Sequence, residues 1–180
     1  MKKTVLTFGV YSGLASAALM LATVPFMEAI GFDRGVYVGY TGMLISFLFI
    51  YFGVRSYRDT ALGGRISFAT GFNVGILITL ISCVFYVITW LFVYYVLMPD
   101  FADKYGAYLI ESVRARGGSQ AEVDDMIKRG LEAKRMLANP LINAAVTFTE
   151  PFPVGLLVTL ISAAVLRTKA AKAQQALQAP

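Results

Sequence analysis

Four stretches of the chain, roughly residues 4–30, 36–54, 69–98 and 141–166, stay apolar for long enough to cross a hydrocarbon core, which takes about 20 residues of helix. This property excludes most water-soluble folds, because a helix that is hydrophobic all round has no face to offer water. Composition agrees, with 57% hydrophobic residues, 15% charged residues and a mean hydropathy of +0.65, where soluble chains carry about 25% charged residues. The expected fold is all-α and membrane-integral. It is a single domain over residues 1–180 with four transmembrane helices, and the lipid bilayer is its first partner.

The first block opens as MKKT and passes through the small residues ASAA, which resembles a secretory signal with a cleavage site near Ala17. The apolar run then continues through LMLATVPFMEAIGF, so an uncleaved spanning helix is expected. Basic residues cluster at particular block ends. Lys2 and Lys3 precede the first block, Arg55, Arg58 and Arg65 fill the second connection, and Arg167, Lys169 and Lys172 lie in a basic tail over 167–180. The first connection holds only Arg34. The positive-inside rule then places both termini and the second connection in the cytoplasm. The connection 99–140 carries seven basic residues on the other side, but seven acidic ones match them. The net charge of +5 is therefore an orientation signal, and no nucleic-acid partner is expected. Arg55, Arg58 and Arg65 are also candidate contacts for anionic lipid headgroups.

Between the third and fourth blocks, PDFADKYGAYLIESVRAR puts Phe101, Tyr105, Tyr108, Leu109 and Ser112 on one helical face, and Gly117 with Gly118 ends it. SQAE, Ser119 to Glu122, then reads as a capping box. Val123, Met126, Ile127, Gly130 and Leu131 repeat at helical spacing, with Asp124–Lys128 and Asp125–Arg129 as i,i+4 pairs. The expectation is an amphipathic helical hairpin outside the membrane over 99–140. Such short helices need something to pack on: each other, the bilayer surface, a second copy or a membrane partner protein. Asn139 and Pro140 are expected to cap the fourth helix.

One stretch occurs twice: FNVGILITLIS, residues 72–82, and FPVGLLVTLIS, residues 152–162, agree at eight of eleven positions. Each copy spaces small residues at i, i+4 and i+7, giving the stripes Gly75, Thr79, Ser82 and Gly155, Thr159, Ser162. Lipid offers helices no hydrophobic reason to associate, so they pack through close backbone approach at Gly, Ser and Thr. Antiparallel helices at matched depth would set Gly75 near Ser162, Thr79 near Thr159 and Ser82 near Gly155. An inverted transporter-like repeat is the other reading of the pair.

The chain has no histidine, which excludes Ser-His hydrolases and HExxH proteases, and its only cysteine, Cys83, leaves no intramolecular disulfide and no cysteine zinc site. No cofactor, no metal and no enzymatic activity are expected. The candidate intramembrane polar site comprises Glu150, Thr147, Thr149 and Asn73. Pro151 and Pro153 withhold amide donors from the carbonyls of Thr147 and Thr149, which places a broken helix beside a carboxylate. A start of the fourth helix beyond 141 would instead leave Glu150 in interfacial water.

The segments FGVRSYRDTALGGRISF, WLFVYYVLMPDFADKY and EPFPVGLLVTLISAAVLR together resemble a bacterial integral-membrane family catalogued only as a domain of unknown function, over essentially the whole chain. Matching positions include Arg55, Tyr57, Arg58, Asp59, Gly64, Pro99, Asp100, Phe101, Tyr105, Glu150 and Pro153. The resemblance implies a four-helix protein of the bacterial cytoplasmic (inner) membrane and brings no substrate or site residues with it. The expected function is a structural or interaction module, homo-oligomeric or bound to a partner through 99–140. The alternative is a small proton- or cation-coupled carrier using Glu150.

Overall fold

The computed structural model describes residues 1–168. Among these residues every regular element is helical: α1 (Lys2–Thr23), α2 (Met27–Ala61), α3 (Phe68–Phe92), α4 (Phe101–Ala115), α5 (Gln120–Leu137), α6 (Pro140–Phe148) and α7 (Pro151–Leu166). A 3-10 turn, Val24–Phe26, joins α1 to α2, and a π-helical turn, Val93–Leu97, extends α3. Lys169 and Lys172 of the expected basic tail lie outside the described residues. Three helical stretches, Lys2–Ala61, Phe68–Leu97 and Pro140–Leu166, are long and apolar enough to cross a bilayer.

The 60-residue stretch is not one rod. Pro25 opens the 3-10 turn, and Gly31 takes φ 73°, ψ 161°, a region essentially reserved for glycine. The break therefore falls at residues 24–31, where the sequence pattern predicted helix to residue 30 and a loop before 36. Pro25 withholds the amide that α1 would need, while its fixed φ suits the first turn of a new helix. Beyond the break the chain folds back. Ser12 Oγ donates to the Ser46 carbonyl at 2.9 Å, and Gly53 and Gly42 lie against Phe8 and Leu19, so α1 and α2 run antiparallel. Gly9 meets Ile81 and Gly13 meets Phe85, which makes α1 and α3 parallel.

Small hydroxyl residues reach the centre of the interior: Ser12, Ser46, Thr79, Ser82 and Thr159 are all 0% exposed. Leu6, Leu48, Ile88, Leu157 and Val165 are each more than half exposed on the outside. A water-soluble bundle has the opposite arrangement. Val5, Met43, Phe47, Ile50, Val54, Ile66, Val74, Ile78 and Leu166 form the main apolar cluster, which runs from the Ile66–Leu166 end down to the level of Gly42 and Leu19. The Ile66 amide donates to Thr168 Oγ1 at 2.8 Å and the Thr168 amide to the Ile66 carbonyl at 2.9 Å. The start of α1, the α2–α3 connection and the end of α7 therefore share one end of the bundle.

α4 and α5 pack together at the other end. α4 stops in a Schellman motif: the Gly117 amide donates to the Arg114 carbonyl and the Gly118 amide to the Val113 carbonyl, both at 2.9 Å, with Gly117 at φ 75°. The capping box forms, with Ser119 Oγ accepting from the Glu122 amide and Glu122 accepting from the Ser119 amide at 2.8 Å. Asn139 Oδ1 caps α6 by accepting from the Leu141 amide at 2.9 Å. Val113 and Val123 are buried, and Lys134 Nζ reaches Asp103 Oδ1 at 2.5 Å. Asp125 pairs with Arg129 as expected, whereas Asp124 accepts from Gln120 and not from Lys128. Of the expected apolar face of α5, Ile127 and Leu131 stay exposed although both lie between Val123 and Lys134, the stretch that α4 runs along, so α4 covers only one side of that face.

Candidate functional site

α3 and α7 meet along the repeated stretch. Thr79 Oγ1 and Thr159 Oγ1 lie 2.9 Å apart, and Thr79 Oγ1 also reaches the Gly155 carbonyl at 3.3 Å. A Cβ on Gly155 would come within 2.4 Å of the Thr79 methyl, and one on Gly75 within 2.8 Å of the Thr159 methyl. Each copy therefore inserts its threonine into the hollow left by the other copy's glycine. The Thr79–Thr159 contact agrees with the sequence expectation. The flanking pairs differ by about one turn, since Gly75 faces Thr159 and not Ser162, and Gly155 faces Thr79 and not Ser82. A threonine methyl fills a glycine hollow better than a second small residue does, and that sets the register. Ser82 and Ser162 are buried, with Ser82 Oγ donating to the Ile78 carbonyl at 2.9 Å.

The seam leads to the break between α6 and α7. Glu150 sits at this break, ahead of Pro151, and its Oε2 accepts from the Tyr86 hydroxyl at 3.0 Å. Tyr86 follows Thr79 and Ser82 on the same face of α3, so extending the small-residue stripe by one turn would have located it in the sequence. Counted at about 1.5 Å per residue, Glu150 lies about 25 Å from Arg167 along the helix. Its own surface is exposed. The Thr147 carbonyl is not free as expected: the Glu150 amide donates to it at 3.2 Å, because the chain tightens into a 3-10 turn where Pro151 has no amide. The Thr147 hydroxyl donates to Asn143 Oδ1 at 3.1 Å, and the exposed Thr149 hydroxyl to the Val146 carbonyl at 2.6 Å. Asn73 is not part of this group. It is exposed near the start of α3, about 20 Å from Tyr86 along the helix axis.

Asn143 belongs to a separate buried node. Its Nδ2 reaches Tyr95 Oη and the Leu137 carbonyl, each at 3.4 Å, while Tyr95 Oη donates to that same carbonyl at 2.6 Å. This node fixes the point at which α5 hands over to α6. At the opposite end of the bundle, Asp59 binds Arg58 Nε at 2.6 Å and Arg55 Nε at 3.7 Å. Two of the three candidate headgroup arginines are thereby partly neutralised, and Arg65 stands at the α2–α3 turn.

The other polar group lies where α2 begins. Phe32 is surrounded by Phe101, Tyr105 and Tyr108 of α4, with ring centroids at 5.9, 5.3 and 5.1 Å, and Phe101 reaches on to Trp90 at 5.1 Å. Lys104 Nζ bridges Asp100 Oδ2 at 3.0 Å and Glu28 Oε1 at 3.1 Å, and the Tyr108 hydroxyl donates to Asp33. The hydrogen bonds from Asp100 and then Glu28 hold the Lys104 ammonium above its ordinary range, and Lys104 holds the Asp100 carboxyl below its own. The bond to Asp33 raises the Tyr108 phenol. These groups border a cleft of about 590 Å³. Among the described residues no group of three or more Cys, Asp or Glu is arranged to hold a metal ion.

A family model described as "Protein of unknown function (DUF4199)" matches residues 7–168. No curated protein and no solved structure matches the chain.

Proposed function

We propose, for a chain that belongs to the DUF4199 family of unknown function, a non-enzymatic module of the bacterial inner membrane that crosses the bilayer four times. Both termini are cytoplasmic and α4–α5 stands outside as the element that meets a partner or a second copy. The observation that carries this reading is the reciprocal threonine–glycine seam. Every buried side-chain nitrogen or oxygen among the described residues has a hydrogen-bond partner, which supports a packed interior between the helices. The fold-back of α1 on α2 supports four crossings, because a 60-residue helix would measure about 90 Å, three times the hydrocarbon core. The cytoplasmic assignment rests on Lys2, Lys3, Arg55, Arg58, Arg65 and Arg167 gathering at one end.

Two measurements test this reading. In a Cys83→Ser background, a cysteine at Thr60 should react with a membrane-impermeant maleimide only after cells are opened, and one at the exposed Ala121 in intact cells. The reverse pattern overturns the orientation. A photo-crosslinker at the exposed Leu131 in native membranes should give one adduct of defined mass, and a chain that remains wholly uncrosslinked overturns the module.

A second reading has its own supporting observation, the Tyr86–Glu150 hydrogen bond at a proline-broken helix. A carboxylate there, released and reprotonated as the break moves, would serve a proton- or cation-coupled carrier. Glu150→Gln should then abolish pH-dependent transport in reconstituted vesicles, and unchanged behaviour removes the idea.

A further inference from the structure

The cleft at the start of α2 has two kinds of wall. Val24, Pro25, Leu97 and Met98 make it apolar on the side nearer the spanning segments, and Glu28, Asp33, Asp100 and Lys104 edge it on the side of α4. Its volume, about 590 Å³, falls within the range of small-molecule sites, roughly 300–1,000 Å³. Gly31 keeps it open, because its positive φ turns the chain away and its position carries no side chain into the space.

The charges in the rim do not cancel. Among the described residues Lys104 is the only cation lining the cleft, against three carboxylates, and it is shared between Glu28 and Asp100. Asp33 receives one neutral hydroxyl, from Tyr108. The rim thus carries unbalanced negative charge that one more cation beside Glu28 and Asp33 would offset. It also offers one ammonium, Lys104, to an anion. Beside it lies the apolar wall of Val24, Pro25, Leu97 and Met98.

The geometry points to a phospholipid with a primary-amine headgroup, of the phosphatidylethanolamine class, as the occupant. The headgroup ammonium lies between Glu28 and Asp33, the phosphate faces Lys104, and the first carbons of the acyl chains lie against Leu97 and Met98. A phosphatidylglycerol headgroup brings no cation for the carboxylates, and the trimethylammonium of phosphatidylcholine has no N–H to donate to them. The inference rests on the membrane reading of the four blocks but not on orientation, since both leaflets can supply the lipid.

The test uses the full chain in nanodiscs holding equal amounts of phosphatidylethanolamine, phosphatidylcholine and phosphatidylglycerol. Lipids that stay bound after gentle release are identified by native mass spectrometry. Phosphatidylethanolamine should be retained about fivefold over either competitor. The double variant Glu28→Gln, Asp33→Asn should lose that preference, whereas Lys104→Gln should lower the retention of all three lipids, which share the phosphate. Unselective retention by the wild-type chain overturns the proposal, as does an unchanged preference in the double variant. All three side chains are exposed, and an unaltered melting temperature in each variant keeps misfolding from imitating the result. Failure of the topology labelling above would leave this selectivity intact, so the two readings fail separately.

Discussion

The α3–α7 seam and the α2–α4 junction both join distant parts of the chain, but they are made of opposite materials. The seam is neutral, closed and built from residues with almost no side chain: two glycines, two threonines and one hydroxyl pair at 2.9 Å. The junction is charged and open, with ion pairs whose partners are about half exposed or more and rings that touch edge to face. In the seam a single added carbon has nowhere to go. At the junction a lost charge is replaced by water. The seam should therefore govern whether the helices associate, and the junction what they meet.

The largest expected effect breaks the seam. Gly155→Leu should destabilise the bundle by about 3 kcal/mol or more, since even its Cβ would overlap the Thr79 methyl. Unfolding in mixed micelles measures this. Gly75→Leu, the equivalent position in the other copy, should cost a similar amount. A tolerated change at either glycine would end the reciprocal account. Next comes the hydroxyl pair. Thr79→Val keeps the shape and removes the hydrogen bond, for about 0.6 kcal/mol, and Thr79→Ala should cost more because it also empties the hollow at Gly155.

Smaller effects belong to the charged end. Lys134→Ala, which removes the pair with Asp103, should leave the unfolding midpoint unchanged within error, since exposed pairs contribute little. A clear drop would mean that the two regions differ less than their materials suggest. Acidification gives the smallest effect. Hydrogen bonds from the Ser119 amide and then its hydroxyl hold the Glu122 carboxyl below its ordinary value of 4.5. Its contribution is thus fully present above pH 4.5 and is lost as the pH falls through the lower folded value. The protection factor for hydrogen exchange at the start of α5, taken against the intrinsic rate at each pH, should fall over that window, while the seam, which holds no titrating group, stays protected.

Much of this was legible along the chain. The caps at Ser119 and Asn139 and the stop at Gly117 are local chemistry, and the Thr79–Thr159 contact follows from the repeat and its antiparallel depth. The flanking register was not legible, because a stripe of small residues does not say which hollow takes which methyl. Tyr86 was reachable from the stripe, yet its aromatic ring broke the small-residue pattern. Asn73 shares polarity with Glu150 but not its place, because about 20 Å of α3 separates Asn73 from Tyr86, the partner of Glu150. The cleft left no sequence signal, since Glu28, Asp33, Asp100 and Lys104 come from two parts of the chain that meet only through Phe32 and α4.

By itself the sequence determined that helical stretches form that are long and apolar enough to cross a bilayer. Long apolar blocks with basic ends can bury their backbone polar groups only as helices in hydrocarbon, and small residues then become their contact surface. Tertiary structure alone decided that the first apolar stretch folds back at Pro25 and Gly31, that each threonine fits the other copy's glycine, and that an amphipathic cleft forms where α2 starts. The physical reason is range: hydropathy and capping act over a few neighbouring residues, whereas a hollow or a shared ion pair exists only once separate helices have been brought within a few ångströms.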